Sequence, residues 1–317
     1  MQELTKESIS ICLNCYKIRF SERNKAVEKD ILSIFGEKEL MPIMQEFIKC
    51  VDSNTVFKNK NRDRILYLKK ILMPATADEN IFIGVIMKGH NGPQTSIDEL
   101  AGSQVKTIGT ISKDQYHCLP YLFAIYLNKD APKNMIFIAQ SYRQYGFKEV
   151  FEECFSEFIK LKSDKTVVRF NTLSIASLFE KQVKDGFINK IRFVKHGLLK
   201  NAESVISGDN QANNLYEMEL SIKAKKGFWN IKEKLKYDDA SFIESVKIDG
   251  FEFNEAYADV IIAGRKRIMN VSKPSDFSAA YDVTEKVKIN TETKLPDFED
   301  IMKETLDILR NDLIPYV

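Results

Sequence analysis

Long apolar runs are missing from this sequence. No stretch approaches the 18 or more apolar residues that a membrane helix requires. The opening residues, MQELTKESIS, lack the basic start and apolar stretch of a secretory signal. These two absences predict a cytoplasmic protein. Cysteine is sparse and odd in number: Cys12, Cys15, Cys50, Cys118 and Cys154 are scattered, which argues against a disulfide framework and for thiols kept reduced. Histidine occurs only at His90, His117 and His196. Neither the phosphate loop GxxxxGK(S/T) nor GxGxxG occurs. The glycines of GVIMKGHNG (84–92) lack the strand, loop and Ser/Thr order of a phosphate cradle and read as a turn. A large charge excess is also lacking: 47 basic against 45 acidic residues leave a net +2. Any nucleic-acid surface must therefore come from segregation of charge along the chain.

What is present is ordinary globular material. The chain has 317 residues, 44% hydrophobic and 29% charged, enough to bury a core in two or three modules. ISICLNCYKIRF (9–20) alternates as a strand, with Ile9, Ile11, Leu13 and Cys15 on one face. Helical spacing follows over 25–35 and 38–50. Residues 54–63 read as a polar connector, and strands are predicted at 64–72, 80–88, 104–111, 119–127 and 134–140, with NGPQTSIDE as a loop. FKEVFEECFSEFIKLK is a helix whose Phe147, Phe151 and Phe155 stripe belongs to the core. The strand VVRFN, a helix LSIASLFEKQV and the strand INKIRFVKH lead to a polar stretch, 201–214, expected as a linker or mobile loop. Beyond it lie the strand LYEMELSIKAK, a short helix near 229–236, strands at 246–253 and 258–271, and a closing helix from Pro296 to Leu313. The reading is an α+β fold of mainly antiparallel sheets with helices packed on one face. It divides into an N-terminal strand-helix-helix segment (1–57), a central α+β module (58–200), the linker (201–214) and a C-terminal α+β module (215–317).

Catalytic patterns are thin. The CxxC at Cys12 and Cys15 sits on a strand, where positions three apart point to opposite faces, and no second pair stands at zinc-ligand spacing. His117 and Cys118 are adjacent, and adjacent side chains rarely meet as base and nucleophile. A metal nuclease needs paired acids and a lysine around a divalent ion. Glu217, Glu219 and Lys223 form one such set, and Asp238, Asp239, Glu244 and Lys247 another. Both sets also fit solvated strand faces. The sequence calls for no cofactor and no resident metal.

The charge pattern carries more. Residues 58–70, KNKNRDRILYLKK, hold six bases (Lys58, Lys60, Arg62, Arg64, Lys69, Lys70) and one acid. Residues 181–200 hold six bases and Asp185. Residues 223–236 again hold six bases and one acid, with Lys223, Lys225, Lys226 and Lys232 around Trp229, the only tryptophan. Arg265, Lys266 and Arg267 form a further basic run, whereas 276–317 carries ten acids and five bases. Basic segments with a planar aromatic among them suit phosphate contact, because each neutralised phosphate releases counterions. The plain alternative is that each run is one solvated face, with Trp229 anchored in a core.

The order of elements from 64 to 200, LYLKKILM, IFIGVIM, LPYLFAIYLNKDAPKNMIFIAQ, the turn at Gly146, a helix, VVRFN and INKIRFVKH, resembles the layout of the RexA-like phage exclusion proteins and, more distantly, the RdgC-like recombination-associated proteins. The tail, YDVTEKVKINTETKLPDFEDIMKETLDIL, is similar to uncharacterised bacterial and prophage families. The resemblance covers about two thirds of the chain as layout and carries no site residue across. It implies a non-enzymatic homodimer that binds duplex DNA with little sequence preference and acts in phage exclusion or defence. A protein-binding adaptor or sensor, working with a partner encoded nearby, and a metal-dependent nuclease are the alternatives.

Overall fold

Strand β1 (Ile11–Glu22) buries Ile11, Leu13 and Cys15 on one face and Ile18 and Phe20 on the other, the mark of a strand covered on both sides. In the computed structural model of the chain, residues 10–25, 27–52, 54–76, 78–142, 145–175, 179–180, 184, 187–196, 217–225, 248, 251, 253–262, 265–273 and 279–316 are described, with backbone only at 261–262, 265–268 and 316. The chain divides into two units: Met1–Asn171 with Ala280–Pro315, and Thr172–Ala279.

In the first unit β1 is followed by β2 (Glu28–Lys29), α1 (Ile31–Phe35), α2 (Leu40–Cys50), β3 (Phe57–Lys58), β4 (Arg64–Met73), β5 (Ile81–His90), β6 (Thr95–Ala101), β7 (Gln104–Ile111), β8 (His117–Leu127), β9 (Met135–Tyr142), α3 (Lys148–Lys162) and β10 (Thr166–Thr172). Among the described residues nine strands make one sheet, ordered β10-β1-β9-β8-β5-β4-β3, with β2 and β15 (Ala280–Asp282) also on β1. The registers of its β1–β9, β9–β8, β8–β5 and β5–β4 pairs are antiparallel. The second unit holds β11 (Phe187–His196), β12 (Glu217–Lys223), β13 (Glu255–Ile262) and β14 (Arg265–Asn270), ordered β12-β11-β13-β14 and antiparallel.

Helix α3 seals one face of the large sheet. Its Val150, Phe151, Cys154, Phe155, Phe158 and Ile159 are buried, with spacings of three and four that make a single stripe. Phe151 stacks on Phe137 at 4.5 Å, and Phe47 of α2 meets Phe151, Phe155 and Phe158 edge-on. Each fully buried phenylalanine contributes roughly 1.5–3 kcal/mol. Helix α4 (Phe298–Asp307), capped by the Asp297 carboxylate on Glu299 N, lies against β8. Its buried Ile301 does not belong to the aromatic core on the α3 side, and on β8 Leu122 and Ala124 alternate with the Tyr121 and Phe123 of that core. The central strands are apolar on both faces, and both need cover.

The element reading is close for β1, α2, β4, β5, β7, β8, β9, α3, β10, β11, β12 and α4. Residues 25–35 differ. They give β2 and then a short helix, because the Asp30 carboxylate accepts from Ser33 N and starts α1 there, while Gly36 ends it at φ 68 with its N–H on Leu32 O. Such a left-handed cap suits glycine. TSIDELA, expected in a loop, is the strand β6. The run 258–271 is a hairpin, β13 and β14, in place of one strand. The module boundaries also differ: β1 pairs with β9 and β15, so residues from 1–57, 58–200 and 215–317 share one sheet. Long-range pairing of this kind leaves no local mark in sequence. The expected linker at 201–214 and helix near 229–236 lie outside the described residues. Among the described residues no helix is long and apolar enough to cross a membrane.

Candidate nucleic-acid interface

Four of the sequence-predicted bases meet at one turn. Between β3 and β4 the Asn59 side chain accepts from Arg64 N and donates to the Asp63 carboxylate, and Arg62 N donates to Asn59 O at 2.8 Å. The Arg62 carbonyl accepts the Tyr116 hydroxyl at 3.1 Å, and Asn91 N donates to Asp63 O. Arg62 is held at φ 57, a left-handed conformation that a non-glycine residue keeps only where its surroundings fix it. The turn therefore presents Lys58, Lys60 and Arg62, all exposed, from a braced backbone.

The neighbours set the local charge. Arg64 reaches Glu149 of α3 at 3.2 Å and Asp63 at 4.0 Å, so its charge is largely answered. The Glu153 carboxylate accepts from Lys60 N. Lys88 donates to the Gly146 carbonyl at 2.5 Å, and burial, with Arg64 nearby, holds its ammonium below the usual lysine range. Among the described residues, the side-chain charges of Lys58, Lys60 and Arg62 have no carboxylate within 4.0 Å, although Glu153 holds the Lys60 backbone. Arg64 stands in register with His90, and His90 with His117 on β8; the two imidazole rings stack at 5.6 Å. Charge and planar surface thus gather at one end of the sheet. Lys69 and Lys70 do not join them. They lie five and six residues along β4, roughly 17–20 Å away. A bulge between Leu68 and Lys70 exposes both in succession.

The second unit splits the remaining candidates. Lys223 ends β12 opposite Lys190 of β11, beside a recess of about 340 Å³ that Asn189, Ala224 and Asp259 complete. Lys225 follows, exposed. Lys226, Trp229 and Lys232 lie outside the described residues. Arg265, Lys266 and Arg267 lie on β14, paired with Val260–Ile262 of β13. Lys223 and β14 stand on opposite edges of a four-stranded sheet, roughly 14 Å apart at the usual strand spacing, so these bases line one sheet without adjoining.

The face between those edges carries an ion network that sequence reading missed. Arg192 lies 3.6 Å from Glu219 and 3.8 Å from the buried Asp259, with its guanidinium over the Tyr257 ring. Lys190 is 3.9 Å from Glu219, and His196 lies 3.9 Å from Glu217 and 3.8 Å from Glu255. Hydrogen bonds from the Tyr257 hydroxyl and Lys273 hold the Glu255 carboxyl below its usual range, and the same Glu255 contact pushes Tyr257 up to about 12. The alternation of Lys190, Arg192 and His196 along β11 was the available signal. Glu219 is therefore drawn to Lys190 and Arg192 and Glu217 lies beside His196, and they do not converge on one point with Lys223. Asp238, Asp239, Glu244 and Lys247 lie outside the described residues. Among the described residues no group of three or more His, Cys, Asp or Glu has metal-holding geometry.

Burial raises the Cys118 thiol, which disfavours the thiolate a nucleophile needs, and His117 turns to His90. Burial also raises the thiols of Cys50 and Cys154. Cys15 is buried while Cys12 is half-buried, and neither forms a disulfide. No family model matches the chain, and no curated protein is similar to it in sequence.

Proposed function

We propose that this protein is a non-enzymatic, sequence-tolerant DNA-binding protein that acts, as a homodimer, in a bacterial phage-defence or prophage exclusion system. The observation that carries the binding is the β3–β4 turn: three bases whose side-chain charges have no ion-pair partner among the described residues, on a backbone fixed by Asn59, Tyr116 and Asn91. Unpaired cations on a rigid turn bind phosphate with little ordering cost, and the contact is blind to base sequence. Taken by itself, the second unit offers further bases at Lys223, Lys225 and the β14 run. The defence role and the homodimer rest on the resemblance to RexA-like and RdgC-like proteins. The test is affinity for two unrelated duplexes of equal length at low salt. Equal binding supports the reading, and absence of binding to both overturns it.

One feature favours a second reading, an adaptor that docks on a protein. Strands β6 and β7 form a two-stranded sheet of their own, rooted between His90 and His117 beside the basic turn. Leu100 and Val105 on it are 72% and 70% exposed. A lone hairpin is marginal in water, and exposed apolar side chains on it suit contact with protein. A complex that forms with a co-encoded protein, with no salt-sensitive shift of DNA, would favour the adaptor over the DNA-binding reading.

A further inference from the structure

We infer that the cleft between the end of β1 and β10, at the sheet edge opposite the β3–β4 turn, is a binding site for a compact phosphate-bearing anion such as a polyphosphate chain. The cleft holds about 540 Å³, within the range of small-molecule sites. Arg19 and Ser21 alternate along β1, and Arg169 and Asn171 along the neighbouring β10, so these four line it from two adjacent strands. The turn after β1 adds Arg23 and Lys25.

The scaffold beneath is fixed. Phe20 and Phe170, which alternate with the cleft residues, are buried in the aromatic core, and Phe170 meets Phe137, Phe151 and Phe155 edge-on. Arg23 N donates to Lys165 O at 2.8 Å and ties the turn to the start of β10. The two acids of the cleft are engaged: Glu22 with Lys25 at 2.9 Å, and Glu28 with Arg19 at 3.9 Å. Arg23 and Arg169 have no carboxylate within 4.0 Å among the described residues. The hydrogen bond from Lys25, with Lys29 and Lys165 near, holds the Glu22 carboxyl below its usual range, as expected in positive potential. Two guanidinium forks on facing elements match phosphate oxygens bidentately. Among the described residues the lining includes no aromatic ring, so a nucleobase finds no stacking surface there and the phosphates carry the recognition.

The site stands on its own geometry and does not depend on duplex binding. The experiment is calorimetric titration of the full chain with inorganic triphosphate, for wild type, Arg23→Gln, Arg169→Gln and, as control, the exposed Lys294→Gln. Both cleft side chains are exposed, and Arg23→Gln keeps the backbone bond to Lys165, so the variants fold. Each cleft variant is expected to weaken binding about tenfold, the effect of one charged hydrogen bond, with Lys294→Gln unchanged. ATP and a pair of oligonucleotides with 5′-phosphate or 5′-hydroxyl ends separate the sources. Binding of ATP as tight as triphosphate assigns a free nucleotide, and a preference for the 5′-phosphate end assigns a nucleic-acid terminus. No heat with triphosphate, or equal loss in Lys294→Gln, overturns the proposal.

Discussion

Replacing Phe151 with alanine tests the packing that positions every exposed group on the large sheet. The ring is fully buried and lies 4.5–6.0 Å from six others, Phe47, Phe123, Phe137, Phe147, Phe155 and Phe170. Phe→Ala in a core costs about 3–5 kcal/mol, more where neighbours are too constrained to collapse into the cavity. Rings packed from α2, α3, the turn before it and three strands cannot close inward together, so about 4–5 kcal/mol is expected. For a unit near 200 residues each kcal/mol moves the midpoint by roughly 2–4 °C, which gives a fall of roughly 8–20 °C. Leu161, on the same helix and 73% exposed, is the control: Leu161→Ala should stay within about 0.5 kcal/mol. The assay is thermal denaturation followed by far-ultraviolet circular dichroism. Similar small shifts for both variants would refute the assignment of the α3 stripe to the core.

Three further outcomes follow from the geometry. Gly84→Ala would place a methyl 2.8 Å from the buried Phe123 ring and 3.2 Å from Leu68; chemical denaturation should show a loss of about 1–3 kcal/mol, the usual cost of overpacking. Glu217→Ala with Glu219→Ala should change no nuclease activity on plasmid DNA with magnesium or manganese, because wild type should show none; metal-dependent cleavage that vanishes in the double variant would contradict this. Tyr257 bonds Glu255 and is raised to about 12 from 10.0, so its protonated form is favoured by folding. That stability is complete below pH 10 and is lost as pH rises toward 12. Tyr257→Phe should abolish this alkaline component in denaturation curves taken across that window.

The parts of the fold written in local periodicity were legible. The phenylalanine stripe of α3 and the alternation of β1 specify elements before any partner is known, because burial imposes their periods. Strand β6 was not legible: TSIDELA is exposed throughout, and no apolar face marks a strand that covers nothing. Pairing of β1 with both β9 and β15 was hidden by separations of more than a hundred residues. At the candidate interface, composition alone picked out Lys58, Lys60 and Arg62. It did not show that Arg64 is answered by Glu149, nor that Lys69 and Lys70 stand apart, since both depend on what packs beside the strand. The Arg23–Arg169 cleft was passed over because its bases are split between 19–25 and 165–169 and join only through the β10–β1 edge.

The β3–β4 turn is proposed to bind DNA phosphate. The most direct measurement is the salt dependence of duplex affinity for wild type and for the Lys58→Glu, Lys60→Glu, Arg62→Glu triple variant. The matched control reverses Lys286, Lys288 and Lys294. Loss of three phosphate contacts should flatten the slope of log affinity against log salt by about 2.7, at about 0.9 per contact, and should weaken two unrelated duplexes alike. The control should keep the wild-type slope. A flat salt response in wild type, or equal loss in both triple variants, would contradict the account.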